Sequence, residues 1–205
     1  MHGVAQSLRE IGATAGRRSA LALCRGEAGA VDVDVKEQTV AFKGSSATLR
    51  SAKWCLPLER KYFEIVILAI EHNSCLRCGV ATASLGSMFS ASDTGLGDDH
   101  QSWAVNGLAQ VSMDNGQTKD YKCAPWKKGD VIGIACDLVQ MQMLVLLNGS
   151  FAVPDGGVFE LDPGVVGEGL VAAFSWHGVL QPRGARFNLR HCLPILRPLT
   201  MGSHP

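Results

Sequence analysis

Alternation of apolar and polar residues with a period of two begins at Val31. Val31, Val33 and Val35 alternate with Asp32, Asp34 and Lys36, the spacing of a strand with one buried face. Thr39 to Phe42 continues the pattern after a polar turn. Tyr62 to Ile70 is dominated by β-branched and aromatic residues, with Ile65, Val66, Ile67 and Ile70 at a density that favours a strand over a helix. Further short strands are predicted at Leu76 to Thr82, Ser102 to Val105, Val131 to Asp137, Met143 to Leu147, Leu170 to Ser175 and Ala185 to Leu189. Leu138 to Gln142 reads as a turn. Three Asn-Gly pairs, Asn106-Gly107, Asn115-Gly116 and Asn148-Gly149, each lie beside a predicted strand. Asn and Gly both accept positive φ, so each pair predicts a tight hairpin.

The segments between are polar. Lys43 to Lys53 is rich in Ser, Thr and Gly and predicts a loop. Ser84 to His100 predicts a long connection. Residues 1–29 show no clean alternation, and Gly12 and Gly16 oppose a helix longer than Ala5 to Glu10. They are read as an N-terminal extension, either ordered in part or the end of a linker, residues 30–196 as one domain and 197–205 as a C-terminal tail. Many short strands and no long helix predict an all-β fold, an antiparallel sandwich or barrel.

Composition narrows the function classes. The 205 residues carry equal numbers of Lys plus Arg and Asp plus Glu, for a formal net charge of zero. A nucleic-acid binder normally carries a broad positive footprint, so no nucleic-acid partner is expected. No apolar run approaches the roughly 20 residues of a membrane helix, and membrane insertion is not expected. The seven cysteines are irregularly spaced. With no leader of charged and apolar regions in view, they are expected to be reduced, packed as small hydrophobes in an intracellular protein, cytoplasmic or nuclear.

Six segments in order resemble the SPRY domain of the B30.2/SPRY family. Lys61-Tyr62-Phe63-Glu64-Ile65 resembles its Tyr-Phe-Glu-Val strand, and Cys78-Gly79-Val80-Ala81 the strand after it. Leu96-Gly97-Asp98-Asp99 with Ser102-Trp103 resembles its Leu-Gly-Asp…Ser-Trp signature. Lys128-Gly129-Asp130-Val131-Ile132-Gly133 with Asp137-Leu138 is similar to its Gly-Asp-Val-Ile-Gly…Asp-Leu strand. Leu147-Asn148-Gly149 resembles its Leu-Asn-Gly hairpin, and Phe187-Asn188 its closing strand. The resemblance spans about Val31 to Pro194. It implies a bent antiparallel β-sandwich of concanavalin-like architecture, and recognition of a protein or peptide partner by loops at one rim.

Candidate rim residues follow from that resemblance. The segment Ser45 to Lys53 corresponds to the first rim loop and offers Ser45, Ser46, Thr48 and Arg50, of which Arg50 suits a carboxylate or a peptide carbonyl. The family's better-known peptide binders carry particular Arg, Pro and Thr residues there, a motif this sequence does not reproduce. Trp176 and His177 end a strand at the second rim segment, which runs on to Arg183, and an aromatic there suits an interface anchor. Trp103 is expected to be a core anchor instead.

Other chemistry is less well supplied. Asp93, Asp98 and Asp99 offer oxygen ligands for calcium, but their spacing is not that of an EF-hand loop. Cys75 and Cys78 form a single Cys-x-x-Cys, while a structural zinc site takes four ligands and residues three apart in a strand face opposite sides. His72 and His191-Cys192 are the remaining zinc candidates. No metal and no cofactor are expected. No Gly-x-Ser-x-Gly, Gly-x-x-x-x-Gly-Lys or His-Glu-x-x-His motif occurs, so no enzyme activity is expected. The leading expectation is a non-enzymatic adaptor or scaffold module. The alternatives are lectin-like carbohydrate or small-ligand binding, and an accessory substrate-recognition role within a ubiquitin ligase or other multi-subunit enzyme. Nothing in the sequence sets the oligomeric state.

Overall fold

A computed structural model describes residues 21–26, 31–34, 39–43, 46–51, 54–70, 75–84, 95–114, 116–152, 158–177 and 186–194. Among them the strands are β1 (Leu21–Gly26), β2 (Val31–Asp34), β3 (Thr39–Phe42), β4 (Ser46–Ser51), β5 (Arg60–Ala69), β6 (Cys75–Thr82), β7 (Ser102–Asn106) and β8 (Val111–Asp114). They continue with β9 (Gln117–Asp120), β10 (Val131–Asp137), β11 (Gln142–Leu147), β12 (Ser150–Phe151), β13 (Phe159–Glu160), β14 (Leu170–His177) and β15 (Arg186–Pro194). One short helix, α1 (Pro163–Val166), is capped by Asp162, whose Oδ1 accepts from the Gly164 amide at 2.8 Å.

The strands build two antiparallel sheets. One runs β1-β4-β14-β6-β7-β8-β9 and the other β12-β11-β10-β5-β15-β3-β2, with β13 pairing β11. Side-chain alternation makes the sandwich. In β5, Phe63, Ile65 and Ile67 are buried while their neighbours are only partly covered. Ile132, Ile134 and Cys136 of β10 and Leu76, Cys78 and Val80 of β6 complete the facing layers of one core. Aromatic rings tie the sheets together at its centre. Phe63 meets Phe174 edge-on at 5.6 Å and Trp54 edge-on at 5.1 Å, the geometry that the ring quadrupole favours. The expected bent sandwich is therefore present.

A second, smaller core lies on the outer face of the seven-stranded sheet. Ala81, Ala104, Met113, Val171 and Ala173 point outward there and are covered by Leu96. Leu96 thus lies over the back of this sheet and is wholly buried.

Several elements differ from expectation. Ser46 to Ser51 is a strand in mid-sheet between β1 and β14, not a loop. Its apolar face consists of only Ala47 and Leu49, 2% and 0% exposed, too little for the period-two signal to stand out against four polar residues. Leu21–Gly26, inside the stretch read as an extension, pairs with β4 as the edge strand. Gln117–Asp120 is fully polar and forms a strand only because β8 templates it. Asn148 and Gly149 have φ of 52° and 80° and join Leu147 to Ser150 in a two-residue turn, as expected. Asn106-Gly107 is different: Asn106 pairs with Val111, and its Oδ1 accepts from the amides of Leu108 and Ala109, capping a four-residue connection. β15 runs to Pro194, five residues beyond the predicted Leu189 end. Val35, Lys36, Asn115 and Ala185 lie outside the described residues.

Candidate functional site

Strand register places the rim candidates. Arg50, Thr48 and Ser46 of β4 stand opposite Ala173, Ser175 and His177 of β14. Ser175 and His177 in turn stand opposite Arg77 and Cys75 of β6. All of these alternate with the inward-facing Ala47, Leu49, Phe174, Leu76 and Cys78, so they share the outer face of the seven-stranded sheet. Ser46 is half-buried, Thr48 is buried and His177 is exposed at the strand end. Ser45 and Arg183 lie outside the described residues.

Trp176 departs from the expected anchor role. It is 4% exposed and points into the main core, where its ring stacks on Phe42 with centroids 6.0 Å apart and planes 11° apart. The parity of β14 dictates this: Phe174 and Trp176 face in, so Ser175 and His177 face out. Trp103, 3% exposed, also lies in the main core.

Polar groups on the outer face fasten the Leu96-Gly97-Asp98 segment. Arg77 Nη1 donates to the Leu96 carbonyl at 3.0 Å and to Asp98 Oδ1 at 2.6 Å. The Leu96 amide donates to Ser175 Oγ at 2.9 Å, and the Gly97 amide to Ser102 Oγ at 2.7 Å. Ser102 Oγ donates to Asp99 Oδ1 at 2.7 Å. Gly97 has a φ of +90°, and a Cβ there would lie 2.4 Å from Met113 Cβ, which explains the glycine between Leu96 and Asp98. Burial opposes the charge of Arg77, but Cys75 and Asp98 outweigh it and its pKa is raised. Cys75 Sγ accepts from Arg77 Nε at 3.4 Å and from Asn106 Nδ2 at 3.1 Å.

These partners also place the metal candidates. Asp98 is taken up by Arg77, and Asp99 by Ser102 and the Gln101 amide. Cys75 lies on the outer face, while Cys78 is buried in the core, where burial pushes its thiol pKa up. Among the described residues no three His, Cys, Asp or Glu side chains gather as a metal would need. Asp93 and His72 lie outside the described residues.

Arg50 is the unusual member of the face. Its Nε is buried and has no hydrogen-bond partner. Sequence reading missed Arg77 and Ser175 as members of this surface. Their signal, polar residues at alternate positions of two otherwise apolar strands, is present at Cys75-Arg77 and Ser175-His177 but becomes meaningful only once β6 and β14 are known to be neighbours.

Two other motif clusters hold the opposite sheet. Asp130 accepts from the Lys127 amide at 2.9 Å and from Asn148 Nδ2 at 3.0 Å, and Asn148 Oδ1 accepts from the Val131 amide at 2.8 Å. This joins the Gly129-Asp130 turn (Gly129 φ +94°) to the Asn148-Gly149 hairpin. Asp137 accepts from Arg60 Nε at 2.8 Å and from the Val139 and Gln140 amides. Tyr62 donates to Glu64 Oε1 at 2.7 Å and lies over Gly133.

Among the described residues no helix is long and apolar enough to cross a membrane. The structure resembles the crystal structure of the SPRY domain of human HERC1, with a TM-score of 0.60 and 12% identity over 78% of this chain and 91% of that one. It also resembles another human SPRY domain, with a TM-score of 0.58 and 17% identity over 78% of this chain and 94% of that one. These likenesses establish the fold. The sequence itself matches the SPRY domain family over residues 60–190, from the Arg60–Asp137 pair through both motif clusters to the closing strand, and the chain belongs to that family.

Proposed function

We propose that this SPRY domain is a non-catalytic adaptor module of the cell interior, cytoplasmic or nuclear, that captures a short segment of a partner protein on the outer face of its seven-stranded sheet. SPRY domains are generally protein–protein interaction modules. What supports this particular surface is Arg50. A buried donor without a partner costs about 1–3 kcal/mol, and a carboxylate from a partner segment would satisfy it with a charge-assisted, forked hydrogen bond. The exposed His177 and the half-buried Ser46, which stands opposite it, supply polar contacts on the same face. The proposed role therefore moves from an aromatic anchor at Trp176 to a cationic one at Arg50. A carbohydrate-binding role needed the Trp176 ring as a stacking platform, and its burial removes that support.

Co-purification followed by peptide mapping tests the proposal. The captured segment is expected to contain an acidic residue, and Arg50→Gln to weaken its binding at least tenfold, the loss of about 1.5–3 kcal/mol that a charge-assisted hydrogen bond represents. A segment bound equally well by wild type and Arg50→Gln, with melting temperatures matched, would remove Arg50 from the interface.

A further inference from the structure

A second polar site lies at the open edge of the sandwich, away from Arg50. There the β8–β9 hairpin of one sheet faces β13 of the other across a cleft of about 290 Å³. Such a volume falls just below the about 300–1,000 Å³ of pockets for drug-sized ligands, so it suits one long side chain better than a cofactor. Tyr121 and Phe159 line it, with ring centroids 6.1 Å apart. Ser112, Asp114, Lys119 and Glu160 supply its polar lining.

Two observations give the cleft a chemical preference. First, Tyr121 is only 5% exposed, and its Oη is buried with no hydrogen-bond partner. Burial pushes the phenol pKa up, so the hydroxyl stays protonated and both donates and accepts. Second, the charges do not balance. Asp114 is paired with Lys119 at 3.6 Å, a weak contact because the lysine side chain is 61% exposed. Glu160 pairs with β11 through its backbone, and among the described residues no hydrogen bond or ion pair engages its carboxylate. Two carboxylates face one loosely held ammonium, next to an aromatic pair. A planar cation meets all of these at once: its N–H groups fork onto a carboxylate, and its face stacks on a ring.

We propose that this cleft binds an arginine side chain presented by a partner polypeptide. Glu160 takes the guanidinium, the Tyr121 hydroxyl gains the partner it lacks, and Lys119 competes with the incoming cation for Asp114. The site is separate from the Arg50 face, and neither proposal depends on the other.

The test is an NMR titration of the whole chain with a capped Gly-Arg-Gly tripeptide, beside the same tripeptide carrying neutral citrulline. Shifts are expected at Ser112, Tyr121 and Glu160, and citrulline is expected to bind at least tenfold more weakly. Glu160→Gln, an exposed change, is expected to weaken arginine binding about tenfold. Lys119→Gln should strengthen it several-fold, and Arg50→Gln should leave it unchanged. Tyr121→Phe is expected to weaken binding without lowering the melting temperature, because the free protein gives the hydroxyl no partner. Equal binding of both tripeptides, shifts confined to another surface, or weaker binding after Lys119→Gln would overturn the site. A melting temperature lowered by Tyr121→Phe would do the same, since it would mean that an internal partner, such as a bound water, already satisfies the phenol.

Discussion

Individual side chains in this domain are set by burial more than by sequence context. Asp137 is wholly buried and accepts from Arg60 and two backbone amides. Removing one partner of such a pair leaves the other charge and the amides uncompensated, so Asp137→Ala should cost about 3–5 kcal/mol in urea unfolding. The buried thiols carry a different signature. Burial raises the pKa of Cys78 and Cys123, and the hydrogen bond with Cys55, followed by burial, raises that of Cys136. In the unfolded chain these thiols ionise near their ordinary value of about 8.5, while in the folded chain they hold their protons to higher pH. The unfolded state then holds fewer protons, and stability must fall as pH rises. Their contribution is complete below about pH 8.5 and declines above it, by at most about 1.4 kcal/mol per pH unit for each thiol. Urea midpoints measured from pH 7 to 10.5 should show this decline, and Cys78→Ala should flatten it by one thiol's share. A midpoint constant up to pH 10.5 would refute the thiol assignment.

Whole strands were legible where their apolar periodicity was strong. β5 announces itself through Phe63, Ile65 and Ile67, all buried. The Asn148-Gly149 turn does so through the positive φ it needs. β4 and β9 were not legible, because their strand character comes from neighbours in the sheet: Gln117–Asp120 has no buried residue at all, and Ser46–Ser51 has two apolar ones. The candidate site suffers from the same limit. Arg50 and His177 were picked out as rim residues, but which way β14 faces depends on its register with β4 and β6, and that register sends Trp176 inward. Trp176→Ala should therefore behave as a core truncation, costing about 3–5 kcal/mol. Arg50→Gln on the other face removes a buried Nε that has no partner, so it should not lower stability. Thermal melts of the two variants separate these roles, and a mild Trp176→Ala beside a severe Arg50→Gln would reverse them.

At the scale of the molecule, the SPRY sandwich offers several unlike surfaces. The outer face of the seven-stranded sheet carries Arg50, Ser175, Arg77 and the exposed His177, with Leu96 fastened over part of it. Elsewhere, Leu58 is 79% exposed in the connection between β4 and β5, Val139 is 49% exposed in the turn between β10 and β11, and Phe151 is 43% exposed on β12. These residues report independently on the remaining surfaces, since each is bulky and open to a small oxidant. Hydroxyl-radical footprinting of the domain, alone and with its co-purified partner, is the most direct test of where the partner sits. The account predicts that His177 becomes protected while Leu58, Val139 and Phe151 label as before. Protection of Leu58, Val139 or Phe151 with His177 unchanged would contradict it.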